Sequence, residues 1–283
     1  MMPKIKAIKA VWLAIALTIT PLFPSNALAF RSSDACISVC IGTQSQFGEA
    51  MGLAAQLPAQ FRLAVWNVYK GGYSHSNQGL ELAALLQEAH IALIQEAIGD
   101  PSFIRPLMAA NAGFRWTLAH AFYRISGDPT GVATGSNTFP LWSEVQLSPV
   151  TEPIVKTPKS ILITKYFLES SSEPLLVINV HGINFVSISS YRKHVDQMVE
   201  AAGNHQGPVI LAGDFNTWSS ARMEYLLERT AQLGLSRIPI EVSSSRQLDH
   251  VFTRGLQPLA AQEISWFTSS DHWPLVVDLK VEQ

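Results

Sequence analysis

From Phe61 onward the chain is a succession of short apolar runs, most of which meet a polar residue at one end. Val65-Trp66 runs into Asn67, Leu93-Ile94 into Gln95-Glu96, Val177–Val180 into His181, and Val209–Gly213 into Asp214-Phe215-Asn216. Asp249 lies within Leu248–Phe252, and Asp271-His272 stands just before Trp273–Val277. Runs of this length, bounded by Gly, Pro, Asp and Ser clusters, are strands buried on both faces. Buried carboxylates and amides are costly unless satisfied. One polar strand end is ordinarily a cap or a turn residue. Recurrence at successive strands instead marks ends that converge on one rim, where loops build sites.

The spacing predicts strands over Phe61–Trp66, Ile91–Ile94, Thr117–Tyr123, Gly131–Thr134, Trp142–Leu147, Ser160–Phe167, Leu175–His181, Pro208–Ala212, Leu248–Thr253, Ile264–Phe267 and Leu275–Leu279. Helical periodicity covers Gly79–Ala89, Leu107–Ala112, Tyr191–Ala202 and Met223–Gln232. Interleaved strands and helices predict mixed sheets covered by helices, in one α/β (α+β) domain over residues 61–283. Residues 30–60 read as a small-residue lead-in. The 16 prolines and 17 glycines follow no period, which excludes collagen-like and low-complexity chains.

Residues 1–29 have the layout of a secretory signal: a basic start (Lys4, Lys6, Lys9), an apolar run from Ala10, and a small-residue Ala27-Leu28-Ala29 end. Pro21 interrupts the run below a comfortable bilayer span. Cleavage after Ala29 predicts a periplasmic or secreted monomer with no stable membrane association. It moves the formal charge from −2 to −5, because residues 1–29 hold three lysines and no acid. Neither value advertises tight polyanion binding. The chain's two cysteines, Cys36 and Cys40, exclude a disulfide scaffold and a four-cysteine zinc site. In an oxidising compartment they read equally well as a strained bridge or as two small apolar residues.

Glu96, Asp214, Asp249 and Asp271, with amide oxygens from Asn67 or Asn216, form a hard-oxygen set suited to Mg²⁺ or Mn²⁺. Metallopeptidase HExxH, P-loop, dinucleotide and GxSxG patterns are missing from the sequence. Ser270 cannot form a triad with its immediate neighbours Asp271 and His272. Carboxylates and a hard cation, with His181 and His272 to move protons, fit hydrolysis of a phosphate ester.

The segments Val65-Trp66-Asn67-Val68, Ile94-Gln95-Glu96, Gly131-Val132-Ala133, Asn179-Val180-His181, Gly213-Asp214-Phe215-Asn216, Leu248-Asp249-His250-Val251-Phe252 and Ser270-Asp271-His272-Trp273-Pro274 together resemble the endonuclease/exonuclease/phosphatase (DNase I-like) superfamily. The resemblance implies a four-layer α-β-β-α sandwich with its site at one edge of two packed sheets. It implies Glu96 as principal Mg²⁺ ligand supported by Asn67 and Asp271, and Asp249 orienting His272. It further implies Asp214 acting on the attacking water, Asn216 on the reacting phosphate, and His181 and Asn184 on phosphate oxygens. His272 and Asp214 both remain candidates for general base. The implied activity is Mg²⁺-dependent hydrolysis of a phosphoester, nucleic acid being one candidate substrate. Lipid and inositol-phosphate esters, and a non-catalytic binding module, are the alternatives. Lys70 reads as a solvated loop lysine and His250 as structural. Gly135-Ser136-Asn137 lacks an arginine frequent there in the family. Tyr69, Trp142, Trp218 and Trp273 read as core rather than stacking platforms.

Overall fold

The computed structural model describes residues 41–49, 52–71, 75–241 and 247–282. The expected signal segment, residues 1–29, and both cysteines lie outside these residues. In chain order the elements are β1 (Gln44–Phe47), β2 (Gln60–Asn67), α1 (His75–Leu86), β3 (Ile91–Ile98), α2 (Pro101–Ala110), β4 (Arg115–Ala119), β5 (Phe122–Tyr123), β6 (Pro129–Ser136), β7 (Trp142–Leu147), β8 (Ser160–Tyr166), β9 (Leu175–His181), α3 (Ile188–Gly203), β10 (Val209–Asp214), α4 (Ser220–Ala231), β11 (Ser236–Arg237), β12 (Asp249–Arg254), β13 (Leu256–Glu263) and β14 (Leu275–Val281).

Two mixed sheets result. One runs β1-β4-β6-β3-β2-β14-β13, with β5 attached to β6; the other runs β11-β12-β10-β9-β8-β7. Strand alternation sorts the side chains into layers. Leu63, Val65, Ile91, Leu93 and Val277 point between the sheets, onto Val177, Ile210, Ala212 and Val251 of the other sheet. Their neighbours Ala64, Trp66, Ala92 and Ile94 point outward, beneath Leu82, Leu85 and Leu86 of α1 and Phe103, Ile104 and Leu107 of α2. On the second sheet Ile178, Val180, Val209 and Leu211 face Tyr191, Val195, Met198 and Val199 of α3 and Leu226 of α4. The strands read as continuous apolar runs because both faces are covered, and the architecture is the expected α-β-β-α sandwich.

Local chemistry sets the helix starts. Asp100 accepts the Ser102 N–H (2.6 Å) ahead of Pro101, and Ser187 and Ser219 cap α3 and α4. The Asp100 cap starts α2 well before the expected Leu107. Two strand expectations are corrected and one strand is added. Thr117–Tyr123 is divided between β4 and β5, the chain leaving the ladder at His120. Ile264–Phe267 is a loop, whose Phe267 is apolar because it packs edge-on against Trp66 (5.3 Å, 67°). The neighbouring strand is β13, an edge strand with exposed residues and a bulge at Pro258, so it carries no apolar signature. The lead-in also enters the fold: β1 pairs with β4, and fully buried Leu57 donates its N–H to Phe167 O (2.8 Å).

Candidate active site

Strand register gathers the polar ends. Asp214 lies opposite His181 of β9 and Asp249 of β12, while Asn67 of β2 lies opposite Gln95 of β3. Beneath them Gln95 Nε2 donates to Asn179 Oδ1 (2.8 Å), and Asn179 Nδ2 donates to Ala133 O (2.9 Å). This polar bridge ties the two sheets together under the site. Gly213 sits at φ +139°, and a Cβ there would lie 2.0 Å from Val180 O, so only glycine brings Asp214 this close to β9.

Asp214 is 2% exposed. Its Oδ1 accepts the Asn216 N–H (2.8 Å), and its Oδ2 accepts from Asn67 Nδ2 (3.0 Å) and Asn216 Nδ2 (3.3 Å). Burial, aided by the Asp249 charge, pushes its carboxyl up to about 7. His272 Nδ1 donates to Asp249 Oδ2 (2.7 Å), leaving Nε2 4.0 Å from Asp214 Oδ2. Burial alone would lower the imidazole. The Asp249 charge and hydrogen bond overcome it and raise His272 to about 10. His181 Nε2 stands 3.6 Å from Asp214 Oδ2 and 3.8 Å from Glu96 Oε1. Burial, with Lys159 and Lys70 nearby, holds His181 well below the ordinary imidazole value, so it is neutral.

Glu96 occupies a β-bulge. The β3–β6 register slips between Ile94 and Ala97, and Glu96 takes φ +57°. A bulge re-aims one side chain of a strand, and a non-glycine residue at positive φ is held there by its surroundings. Glu96 Oε2 is buried and ion-pairs with Lys70 Nζ (3.1 Å). Lys70 is the exposed loop lysine expected, and its ammonium also reaches the site. Beside it a small cleft is lined by Lys70, Glu96, Phe122, Lys159 and His181.

The remaining expected residues divide. Asn216 is at the site, but its amide hydrogens go to Gly182 O (2.9 Å) and Asp214, and its Oδ1 accepts the Trp218 indole N–H (2.8 Å). Its geometry holds Asp214 and spares no amide hydrogen for a phosphate. Asn184 spends its Oδ1 on the Phe185 N–H (2.8 Å). Asp271 is exposed in the loop before β14 and reaches His272 through its charge. His250 is structural: its Nε2 pairs with Thr217 Oγ1 (2.9 Å). Of the aromatics read as core, Tyr69, Trp142 and Trp218 are exposed.

Other residues support the site from a distance in sequence. Glu81 of α1 accepts from Thr268 N (2.7 Å), Thr268 Oγ1 (3.2 Å), Ser269 N (3.1 Å) and the Ser269 hydroxyl, fixing the loop that carries His272. Ser270 Oγ donates to Asn67 O (2.6 Å), and Trp66 Nε1 donates to His272 O (2.9 Å). Glu152 pairs with Lys159 (3.2 Å) and accepts the Asn184 N–H (3.3 Å). The only local signal in Glu81 and Arg222 is a charge flanked by apolar residues, which a solvated helix face shows equally, and Glu152, between Thr151 and Pro153, reads as an ordinary loop acid.

Comparison with known proteins agrees with this geometry. The model of the Endonuclease/Exonuclease/phosphatase family matches residues 64–272. A UPF0294 protein of Vibrio cholerae is 32% identical over 232 residues, covering 80% of this chain and 79% of that one. The endonuclease/exonuclease/phosphatase crystal structure from Bacteroides vulgatus superposes with a TM-score of 0.64 at 14% identity, over 79% of this chain and 99% of that one. D. rerio TDP2, complexed with single-strand DNA product, superposes with a TM-score of 0.58 at 14% identity, over 78% and 99%. A core, a rim of Asp214, Asp249 and His272, and a family match that spans them all lead to one assignment: this chain belongs to the endonuclease/exonuclease/phosphatase family of hydrolytic phosphoesterases.

Proposed function

We propose that the protein is an exported, Mg²⁺-dependent phosphodiesterase of nuclease type. The observation that carries the reading is the largely buried Glu96 carboxylate, facing the Lys70 ammonium (3.1 Å) and His181 Nε2 (3.8 Å), beside the Asp249–His272–Asp214 array. Glu96 and the Asn67 amide oxygen, which accepts the Tyr69 N–H (3.1 Å) and keeps a second lone pair, would hold the cation. Among the described residues no three His, Cys, Asp or Glu side chains converge as a metal cluster. A site with one carboxylate and one amide suits Mg²⁺, which keeps most of its waters, with Mn²⁺ as a substitute. When bound, the cation supplies charge neutralisation at the phosphate oxygens.

The chain's own groups divide the proton work. Asp214, lifted to about 7 by burial, is the base that orients and deprotonates the attacking water. His272 is held as imidazolium by Asp249 and stabilises charge developing on the phosphoryl oxygens. Neutral His181, between Glu96 and Asp214, donates a hydrogen bond to the same oxygens. Two exposed rings follow the rim asparagines closely, Tyr69 after Asn67 and Trp218 after Asn216; they offer stacking planes for bases. D. rerio TDP2 is a precedent on this fold for a DNA product. Export rests on the signal layout of residues 1–29.

The test is turnover of plasmid DNA, a single-stranded oligonucleotide, sphingomyelin, an inositol phosphate and a bis-aryl phosphodiester, with Mg²⁺ and with EDTA. Nucleic-acid cleavage abolished by EDTA is expected. Metal-independent turnover, or none of any phosphoester, refutes the reading. Preferential turnover of sphingomyelin or inositol phosphate would move the substrate class. N-terminal sequencing of exported protein should begin at Phe30.

A further inference from the structure

Arg222 is a buried cation that neither the family motifs nor the proposed chemistry uses. It sits in the first turn of α4 with only 8% of its surface exposed, and among the described residues it pairs with no carboxylate. That position is doubly unfavourable: the guanidinium is desolvated, and it stands at the positive end of the helix dipole. An aliphatic side chain would fill the space at lower cost. What the guanidinium does is join two loops. Nη1 donates to Asn216 O (2.9 Å) and Nη2 donates to Val186 O (3.0 Å). Its face stacks on the Tyr191 ring (4.6 Å), whose hydroxyl donates to Phe215 O (3.1 Å).

Both loops carry site groups. Asn216, at φ +52°, delivers its N–H and one amide hydrogen to Asp214 and the other amide hydrogen to Gly182 O. Val186 belongs to the segment that follows His181, and Gly182 N–H donates to Asp214 O (2.6 Å). We propose that Arg222 is a positioning residue: its fork locks the 214–218 turn against the 182–187 loop, fixing Asp214 relative to His181. Lysine has the charge but not the fork, so it serves one carbonyl where arginine serves two. The proposal rests on the hydrolytic reading for its kinetic arm only.

The test uses the full mature chain and Arg222→Gln, Arg222→Lys and Tyr191→Phe. Hydrogen exchange is the readout independent of activity. Arg222→Gln should speed exchange in 182–187 and 214–218 while the strands β2, β3 and β14 stay protected. Kinetically, misplacing a reacting group by about an ångström costs on the order of 10²-fold, so kcat on a bis-aryl phosphodiester should fall by about that much with KM within about 3-fold. Arg222→Lys should fall between, and added guanidinium should restore part of the Arg222→Gln rate. Tyr191→Phe keeps the ring and should stay within about 3-fold of wild type. If Arg222→Gln does not fold, Arg222→Lys carries the same two readouts. A folded variant with near-wild-type kcat, or exchange that rises uniformly with loss of activity tracking the unfolded fraction, overturns the clamp. A wild-type chain inert toward every phosphoester would sink the hydrolytic reading, and the exchange pattern would still decide the clamp.

Discussion

His194 makes stability depend on pH in a way that one substitution isolates. It lies on α3, fully buried, and its Nδ1 accepts the Ile183 N–H (3.0 Å). The ring proton is therefore on Nε2, which is buried without a partner. Protonating Nδ1 would destroy the Ile183 bond and bury a charge, so burial, with Lys159 adding to it, pushes this imidazole down to about 3. In the unfolded chain it titrates near about 6.5. Because the folded value is the lower one, the unfolded state binds the extra proton. Stability from this group is intact above about pH 6.5 and is lost as pH falls toward the folded value, by about 1.4 kcal/mol per pH unit. Between pH 7.5 and 4.5 the loss integrates to about 2.6 kcal/mol. His194→Gln keeps an acceptor for Ile183 and cannot titrate. His250, also pushed down to about 3 by burial, and Asp214, raised to about 7, act alike in both proteins and cancel in the difference. Urea unfolding of both chains across this range, without added metal, should show the wild-type advantage shrinking by about 2.6 kcal/mol toward pH 4.5. A difference that stays flat with pH would refute the neutral, buried assignment of His194.

Two further outcomes are expected. Asp249→Asn removes the charge that raises His272 above its ordinary range. Phosphodiester kcat should fall by at least ~10²-fold, and NMR titration should find the His272 pKa lowered; an unchanged His272 titration would contradict the pairing. Gly213→Ala places a Cβ 2.0 Å from Val180 O at φ +139°, so β9 and β10 must separate. It should cost at least about 3 kcal/mol by thermal or urea unfolding, and a stable, active variant would show that the strand ends are looser than described.

Polar residues at strand ends were legible because a strand end is a local event: an apolar run stops, and a carboxylate, amide or imidazole follows. Asn67, Glu96, His181 and Asp214 close apolar runs in this way, whereas Asp249 and Asp271-His272 stand where runs begin; the sheet register sets Asp214 beside His181 and Asp249 and Asn67 beside Gln95. What each residue does depends on donors supplied from other layers, and these lie far away in sequence. The family resemblance implies a phosphate contact for Asn216, yet Gly182 and Asp214 take its amide hydrogens. Lys70 is exposed as its loop position suggests, but only the fold shows its ammonium facing Glu96 across 3.1 Å. The bulge that turns Glu96 to φ +57° is a property of the β3–β6 register, and no residue type announces it. Glu81 and Arg222 are charged residues in amphipathic helices, where solvation is the ordinary fate. Only the folded partners, the Thr268–Ser269 loop for one and the carbonyls of Asn216 and Val186 for the other, distinguish them from surface charge. The sandwich thus divides its site into two kinds of residue. Strand-end groups can meet the substrate, whereas the helix layers reach across to set their angles. A substitution in a helix layer should therefore lower kcat more than it changes KM, because the groups that bind remain while their alignment for reaction is lost.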